Sequence, residues 1–208
     1  MIIVVSDAFG DQFTGGAELT TDALLDAGFN NYKKLNSQIL NIETIKKYKD
    51  EKWIFFNFHH VRDKNLLSVV KNIKDYQVVE YDYKYCKFRL KSKHEYLEGW
   101  CECYEEKRGK LVAIFLAKSK NLFFMSQLQK DEYESVFPIL KNHKNSHVLN
   151  SVFTKKNIEY ILSLDTSKKN NKYLILNSNS WVKGTERCIE YAQKNKIKYD
   201  LVSGVPHH

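Results

Sequence analysis

The sequence has few cysteines, no long apolar run and no leader-like start. Four cysteines among 208 residues are too few for a disulfide scaffold, so we expect a reducing compartment, the cytoplasm, or the host cytoplasm if the protein is viral. Met1 runs directly into Ile2 and Ile3, without the basic region and cleavage site of a signal peptide. The longest apolar stretches, residues 111–117 and residues 53–58 with the single polar residue Asn57, fall far short of the roughly 20 residues that span a bilayer. No transmembrane segment is expected.

The chain does have the apolar content that folding requires. Hydrophobic residues make up 43% and aromatic residues 13% of it, which excludes a disordered chain. A length of 208 residues corresponds to one large or two small domains. The net charge of +8 makes nucleic acid or anionic lipid electrostatically compatible partners. The basic residues are scattered along the chain, however, which is more typical of a solvated surface than of a nucleic-acid groove.

Short β-branched or aromatic runs alternate with segments of helical spacing. This order predicts an α/β fold, a Rossmann-like parallel sheet with helices on both faces. The predicted strands are residues 2–6, 53–58, 77–83, 121–126, 147–151, 173–177 and 199–203. The predicted helices are residues 18–27, 65–73, 109–119, 127–140, 156–164 and 185–195.

A polar segment, residues 165–172, predicts a linker between two domains. We expect a first domain over residues 1–166, followed by residues 167–208, which comprise the linker and one strand–helix–strand unit. Three elements are too few for a core of their own, so the second domain is expected to be incomplete, or its elements to pack on the first. The terminal His207 and His208 are compatible with either a native end or the start of an expression tag.

Two glycine-containing segments follow predicted strands and open predicted helices. Gly15 and Gly16 would let a ligand approach the backbone, and free N–H groups at a helix start attract phosphate. Lys183 and Gly184 offer a cation and a glycine in the same setting. The alternatives are a flexible turn at the first segment and a solvated lysine at the second. Thr185 is also a candidate N-cap.

Titratable side chains follow two other predicted strands. His59 and His60 could act as a general base or bind a sugar hydroxyl, with at least one of them expected to point into the protein. Glu80 and Asp82 share a face of a strand, where two carboxylates could bind hydroxyls or a metal. A salt-bridged surface including Lys84 is the alternative.

Cys86, His94, Cys101 and Cys103 lie close together in the sequence. A zinc site is conceivable, but there is no Cys-x-x-Cys pair and the Cys-x-Cys spacing constrains how two sulfurs reach one metal. The sequence therefore favours reduced, partly buried thiols and no metal site. Cys188 is expected on the apolar face of the last helix, buried in the protein core. No Gly-x-Ser-x-Gly or His-Glu-x-x-His motif is present, so the common hydrolase and zinc-protease classes have no support.

Taken together, these segments resemble glycosyltransferases of the GT-B type, with family-4-like enzymes of phage and environmental sequences as the nearest likeness. The resemblance spans essentially the whole chain. It rests on residues 14–18 (Thr-Gly-Gly-Ala-Glu), 80–85 (Glu-Tyr-Asp-Tyr-Lys-Tyr), 124–126 (Phe-Met-Ser), 148–153 (Val-Leu-Asn-Ser-Val-Phe) and 180–185 (Ser-Trp-Val-Lys-Gly-Thr). The Glu-x7-Glu-type segment that grips the donor in this family has no counterpart after Gly184.

The resemblance implies transfer of a sugar from a nucleotide-diphosphate sugar to a glycan, a lipid-linked glycan or a modified DNA base. In this family an amino-terminal domain holds the acceptor and a carboxy-terminal domain the donor, and the reaction generally retains anomeric configuration without a metal or cofactor. The expected donor-binding residues are Gly15, Gly16, Lys183 and Gly184; acceptor-binding residues Glu80, Tyr83 and Lys84; and catalytic residues His59, His60 and Asp82.

Two other functions are compatible with the sequence. One is a non-catalytic Rossmann-like binding or interaction module that lacks the donor half. The other is a transferase that holds a divalent metal between Glu80 and Asp82.

Overall fold

The computed structural model describes residues 1–13, 15–165 and 172–203. The chain divides into two compact units, Met1–Thr154 and Lys155–His208. The domain boundary predicted at residues 166–167, most of the predicted linker, Thr14 and the terminal His207 and His208 lie outside the described residues.

The first unit is built on a six-stranded sheet in which every pair of neighbouring strands is parallel. In space the strands follow the order β2-β1-β3-β4-β5-β6. The strands are β1 (Ile2–Ser6), β2 (Tyr32–Asn36), β3 (Lys52–Phe55), β4 (Tyr76–Glu80), β5 (Asn121–Phe124) and β6 (Ser146–Val148).

Six α-helices connect these strands. They are α1 (Gly16–Gly28), α2 (Ile42–Lys47), α3 (Asp63–Asn72), α4 (Lys91–Glu98), α5 (Lys107–Ala117) and α6 (Gln127–Val136). A short 3₁₀ helix, Pro138–Asn142, follows α6. Local capping fixes two of the helix starts, because the side chains of Asn41 and Ser126 accept hydrogen bonds from the backbone N–H groups of Thr44 and Gln129.

Two hydrophobic clusters lie on opposite faces of the sheet, as expected for strands whose successive side chains point to opposite sides. Ile3, Val5 and Phe55 belong to the larger cluster, together with residues of α3 and α5. Val4 and Ile54 belong to the smaller one, together with residues of α1. The predicted α/β fold, a parallel sheet flanked by helices, is confirmed.

Two features of the sheet differ from the sequence prediction. The strand β2 was not predicted, because Tyr32, Lys33 and Lys34 are polar or amphipathic and the strand pairs only with β1 at the edge of the sheet. The strands β3 and β4 end earlier than predicted, at Phe55 and Glu80, so the residues after them form loops at the carboxyl edge.

The second unit contains α7 (Lys155–Ser163), β7 (Tyr173–Asn177), a 3₁₀ turn (Trp181–Lys183), α8 (Thr185–Lys194) and β8 (Tyr199–Ser203). Its two strands pair in parallel along their whole length. The helix α7 groups with this unit, whereas the sequence placed it in the first domain. Within the described part of the chain, every helix is too short or too polar to cross a bilayer.

Candidate functional site

Charged and titratable side chains converge at the carboxyl ends of β1, β3 and β4. The order of the chain reverses between β1 and β3, which are neighbours in the sheet but not in sequence. Ligands of open α/β sheets bind in the crevice at such a point. We call this group the strand-end cluster, which comprises Asp7, Glu18, His59, Glu80, Asp82, Lys84 and Arg89.

Asp7 organises the loops around the end of β1. Its carboxylate accepts hydrogen bonds from the Ser37 hydroxyl and from the backbone N–H groups of His59 and His60, the latter two at 3.2 Å. Its backbone carbonyl accepts a hydrogen bond from the Asn36 amide at 2.7 Å. Asp7 thereby fixes the backbone that carries both histidines. Asp7 belongs to no recognisable motif, and its place directly after β1 is the one sequence signal that points to it.

Arg89 joins three strand ends. Its guanidinium donates to the Asp82 carboxylate, with Nε 2.7 Å from Oδ2, and Nη2 lies 3.4 Å from Asn57 Oδ1. Nη1 lies 4.0 Å from Asp7 Oδ2. The backbone of Arg89 has a φ of 57°, a left-handed conformation that is strained for a residue with a side chain and is common at functional sites. No sequence signal identified Arg89, because two of its three partners, Asp7 and Asn57, are distant in the chain.

Glu80, Asp82 and Lys84 form a largely buried hydrogen-bond network around the Lys84 ammonium group. Lys84 Nζ lies 2.7 Å from Asp82 Oδ1 and 3.2 Å from Glu80 Oε1. The side chains of Lys84 and Glu80 have no solvent exposure, whereas that of Asp82 is 22% exposed. The predicted acceptor-binding role of Glu80 and Lys84 therefore needs correction, because neither side chain can reach an acceptor from the surface. Nor is this a surface salt bridge; both residues position Asp82 from inside the protein.

The two carboxyl groups of this network differ in acidity. Burial raises the pKa of Glu80 to about 8, and the Lys84 ammonium only partly opposes this. Burial would also raise the pKa of Asp82, but Lys84 and Arg89 outweigh it and hold that pKa below its usual value. Glu80 Oε2 is buried without a hydrogen-bond partner among the described residues. Asp82 is therefore the ionised, partly exposed carboxylate of the pair at neutral pH.

His59 and His60 follow β3 side by side, with ring centroids 5.3 Å apart. Consistent with the expectation that one points inward, His59 is half-buried and His60 is exposed. Burial, followed by the charge of Arg89, lowers the pKa of His59, so its imidazole is neutral at pH 7. A neutral imidazole is the form that accepts a proton from a hydroxyl group.

The start of α1 belongs to the same region. Burial raises the pKa of Glu18, and the nearby charge of Asp7 adds to this. Backbone hydrogen bonds at Glu18 and Gly15 and the charge of Arg89 lower the pKa in part. Its carboxylate thus folds back over the helix start. A Cβ atom on Gly15 would lie 2.5 Å from Glu18 Oε2, so the packing of the Glu18 side chain against the backbone is a sufficient reason for a glycine at this position. A Cβ atom on Gly16 would meet nothing within 4 Å among the described residues, so internal packing does not explain Gly16.

In the second unit, Lys183 and Gly184 lie at the carboxyl end of β7, directly before α8. Lys183 is exposed, and Gly184 has a φ of 64°, which favours glycine. Thr185 was a candidate N-cap, but the N-cap is Gly184. The Thr185 hydroxyl instead donates to the backbone carbonyl of Leu176 at 2.6 Å, which ties α8 to β7.

Tyr83, the third predicted acceptor-binding residue, is partly buried. Its ring stacks on Tyr133 at a centroid distance of 5.8 Å and meets Tyr85 edge-on at 6.1 Å. Burial, followed by a hydrogen bond to Glu132, raises its pKa, so its hydroxyl stays protonated. Tyr83 is thus held between two aromatic neighbours, and its role in acceptor binding stays a prediction.

Four residues could hold a metal ion. The ligand atoms of Cys86, His94, Cys101 and Cys103 all lie within 4.8 Å of one another, and all four residues are buried. The poor spacing inferred from the sequence is therefore no obstacle, because the fold brings the four side chains together. Cys188, which was expected in the core, is exposed instead.

Two comparisons with known proteins gave no match. No protein-family model matches the chain, and no curated protein is significantly similar to it.

Proposed function

We propose that the chain is a glycosyltransferase of the GT-B type, which transfers a sugar from a nucleotide-diphosphate sugar to an acceptor. One observation carries the proposal. Acidic and imidazole side chains gather at the carboxyl ends of β1, β3 and β4, beside a helix start whose Gly16 has open space around it. The sequence resemblance to GT-B enzymes supports the same reading, since in that family the amino-terminal domain binds the acceptor.

The charge of the strand-end cluster favours a sugar as the acceptor. Four carboxyl groups, those of Asp7, Glu18, Glu80 and Asp82, accompany only the two cations Lys84 and Arg89. Carboxylates and a neutral imidazole accept hydrogen bonds from sugar hydroxyls. Because Glu80 holds its proton at pH 7, the cluster has neither a large excess of negative charge nor a surplus of cations that would attract the phosphates of duplex DNA. We therefore propose a glycan or lipid-linked glycan, and duplex DNA is the disfavoured acceptor despite the net charge of +8.

Three side chains of the first unit, those of His59, His60 and Asp82, and Lys183 of the second unit each have a role in this proposal. His59, neutral at pH 7, accepts the proton of the attacking acceptor hydroxyl, and Asp82 orients that acceptor. The exposed His60 contributes a further hydrogen bond. Lys183 neutralises the diphosphate as it leaves, which a fixed cation does without a divalent metal. We propose that no cofactor besides the nucleotide sugar takes part.

The proposal is tested by calorimetric titration of the whole chain with UDP-glucose and GDP-mannose, together with an assay for released nucleoside diphosphate. Saturable binding of one donor and release of its diphosphate would support a transferase. Binding without release by the chain, with or without added oligosaccharides, would favour the alternative, a non-catalytic module. An activity that EDTA abolishes and Mn²⁺ restores would instead favour a metal held by the two carboxylates. Absence of binding to any nucleotide sugar would contradict the proposal.

Replacing Gly16 with valine is expected to weaken donor binding at least about tenfold without unfolding the protein. The valine side chain meets no protein atom but occupies the space through which a phosphate approaches the N–H groups of α1. Calorimetry measures the affinity and thermal denaturation the stability. Gly28→Val is the matched control, because Gly28 ends the same helix and has equally open surroundings. Equal donor affinity in both variants would show that the donor does not approach Gly16.

Replacing Lys183 with alanine is expected to lower donor affinity by about 1.5–3 kcal/mol, the contribution of a hydrogen bond to a charged group. The loss should rise as salt is lowered, because an exposed charge is screened less. Lys194→Ala, at the opposite end of α8, controls for the loss of one positive charge. If both variants bind the donor alike, Lys183 does not contact the diphosphate.

A further inference from the structure

Three cysteines and one histidine form a compact, buried group next to the strand-end cluster. Cys86 follows β4 by a short loop, His94 lies in α4, and Cys101 and Cys103 follow that helix. Gly99 has a φ of 86° and ends α4, which turns the chain so that both later cysteines face the histidine. We refer to Cys86, His94, Cys101 and Cys103 as the Cys₃His group.

Three of the six distances between the ligand atoms of this group match those of a tetrahedral zinc site, and all six are within 4.8 Å. Zinc–sulfur bonds of about 2.3 Å and a zinc–nitrogen bond of about 2.0 Å at tetrahedral angles place two sulfurs about 3.8 Å apart and a sulfur and a nitrogen about 3.5 Å apart. Cys86 Sγ and Cys101 Sγ are 3.8 Å apart. His94 Nδ1 lies 3.5 Å from Cys86 Sγ and 3.4 Å from Cys103 Sγ.

The surroundings of the histidine suit a metal ligand. His94 Nε2 lies 3.0 Å from Glu98 Oε2, and Glu98 also pairs with Lys87 at 2.7 Å. When His94 Nε2–H donates a hydrogen bond to the Glu98 carboxylate, Nδ1 carries no proton and its lone pair points towards the sulfurs of Cys86 and Cys103. Such a carboxylate behind a ligating histidine is the usual second contact of zinc sites.

Simple core packing accounts less well for this arrangement. Buried cysteines serve as small apolar side chains, but a buried imidazole needs a partner for each nitrogen. The hydrogen-bond partners of His94 Nδ1 in the structure are the sulfurs of Cys86 and Cys103, and a thiol is only a weak donor, whereas a metal ion would bind this nitrogen strongly. A disulfide is not formed either, because the sulfurs are 3.8 Å apart instead of about 2.05 Å.

We propose that Cys86, His94, Cys101 and Cys103 bind one zinc ion in a closed, structural site. Three thiolates and an imidazole are soft ligands that select zinc over magnesium or manganese. With four protein ligands the zinc has no open position for a substrate, so it does not take part in sugar transfer. Binding releases the thiol protons to solvent, and the ion remains divalent throughout.

The zinc would fix the loop that presents two residues of the strand-end cluster. The backbone N–H of Arg89 donates to the carbonyl of Cys86 at 2.9 Å, and the N–H of Cys86 donates to that of Tyr83 at the same distance. Lys84 and Arg89 therefore lie on a loop anchored at Cys86. Gly109 at the start of α5 supports the other end, since a Cβ there would lie 2.1 Å from the carbonyl oxygen of Cys103.

The experiment measures metal in the full chain, purified without a polyhistidine tag from zinc-containing medium. Mass spectrometry of the metal content is expected to give about one zinc per chain. Reconstitution with Co²⁺ in place of zinc is expected to give thiolate charge-transfer absorption and the strong visible bands of tetrahedral cobalt. A mercurial that blocks thiols should release the zinc from the unmutated protein.

Variants locate the site. Cys103→Ser is expected to lose stoichiometric zinc, whereas Cys188→Ser keeps it, because Cys188 is exposed and lies outside the group. Glu98→Ala leaves all four ligands in place and is expected to weaken zinc binding about 10- to 100-fold in a chelator competition. This variant keeps the test decisive if Cys103→Ser fails to fold.

Three results would overturn the proposal. They are an unmutated chain that takes up no zinc in excess Zn²⁺ under reducing conditions, zinc retained equally by Cys103→Ser and Cys188→Ser, and a Cys86–Cys101 disulfide found in the protein as purified. None of these measurements depends on a donor sugar, so a negative result for zinc would not contradict the proposed transferase activity, and the reverse also holds.

Discussion

Replacing Lys84 with alanine is expected to lower the free energy of unfolding by about 3–5 kcal/mol. The side chain of Lys84 is completely buried and pairs with both Asp82 and Glu80. Its ammonium group also lies 5.3 Å from the centre of the Phe58 ring. Alanine removes the charge that compensates Asp82 and leaves a cavity where the methylene chain lay. Arg89 remains to pair with Asp82, which limits the loss.

The matched control is Lys120→Ala. Lys120 pairs with Asp75 at 3.2 Å, the same distance as Lys84 to Glu80, but its side chain is 58% exposed. An exposed pair contributes at most about 1 kcal/mol, so the two variants should separate clearly in urea denaturation. Similar denaturation midpoints for both variants would mean that water reaches the interior around Lys84 and that burial does not determine how much stability is lost.

The fold was predictable from the sequence wherever a strand is buried on two faces. Four of the five residues of Ile2–Ser6 are β-branched, and the structure has a strand with the predicted bounds. β2 was missed because half of an edge strand faces solvent and the pattern carries little apolar signal. α4 was missed for a related reason, since His94 is the one buried residue of that helix. A local sequence pattern does not predict a strand or helix that is held in place by tertiary contacts and not by an apolar face of its own.

The candidate site was predictable only in part. The rule that ligands bind at strand ends led to His59, His60 and Asp82, and the structure places these residues at the carboxyl edge of the sheet. The same rule could not tell that the side chains of Glu80, at the end of β4, and Lys84, in the loop after it, are buried, because their burial depends on tertiary contacts. No sequence pattern pointed to Arg89, since its place in the site depends on its left-handed backbone conformation and on contacts with Asn57 and Asp82.

The cysteines show a further limit of spacing arguments. Cys-x-Cys looked unfavourable because both sulfurs must reach one point from residues two apart. The turn at Gly99 and the close approach of Gly109 to the backbone of Cys103 place these sulfurs beside His94. Whether two cysteines can share a metal is decided by the backbone around them, and a pattern of one-letter codes does not contain that information.

Replacing Glu80 with glutamine is expected to make the protein more stable than the unmutated chain as pH rises, by at most about 1.4 kcal/mol per pH unit. In the folded state burial raises the pKa of Glu80 from 4.5 to about 8, whereas in the unfolded state it lies near 4.5. Between these values the folded protein holds a proton that the unfolded chain has lost. Stability from this group is therefore full below pH 4.5 and declines as pH rises towards 8.

The measurement is urea denaturation of both proteins at several pH values from 4 to about 9, and the informative quantity is the difference between them. His59, with a lowered pKa, makes stability rise with pH below its usual pKa of 6.5, and Asp82 acts only at acidic pH. Both contributions are present in both proteins and cancel in the difference to first order. Glutamine resembles the neutral carboxyl group, so the two stabilities should meet near pH 4. A difference that does not change with pH would mean that Glu80 is ionised in the fold, with Lys84 shared equally between two charged carboxylates.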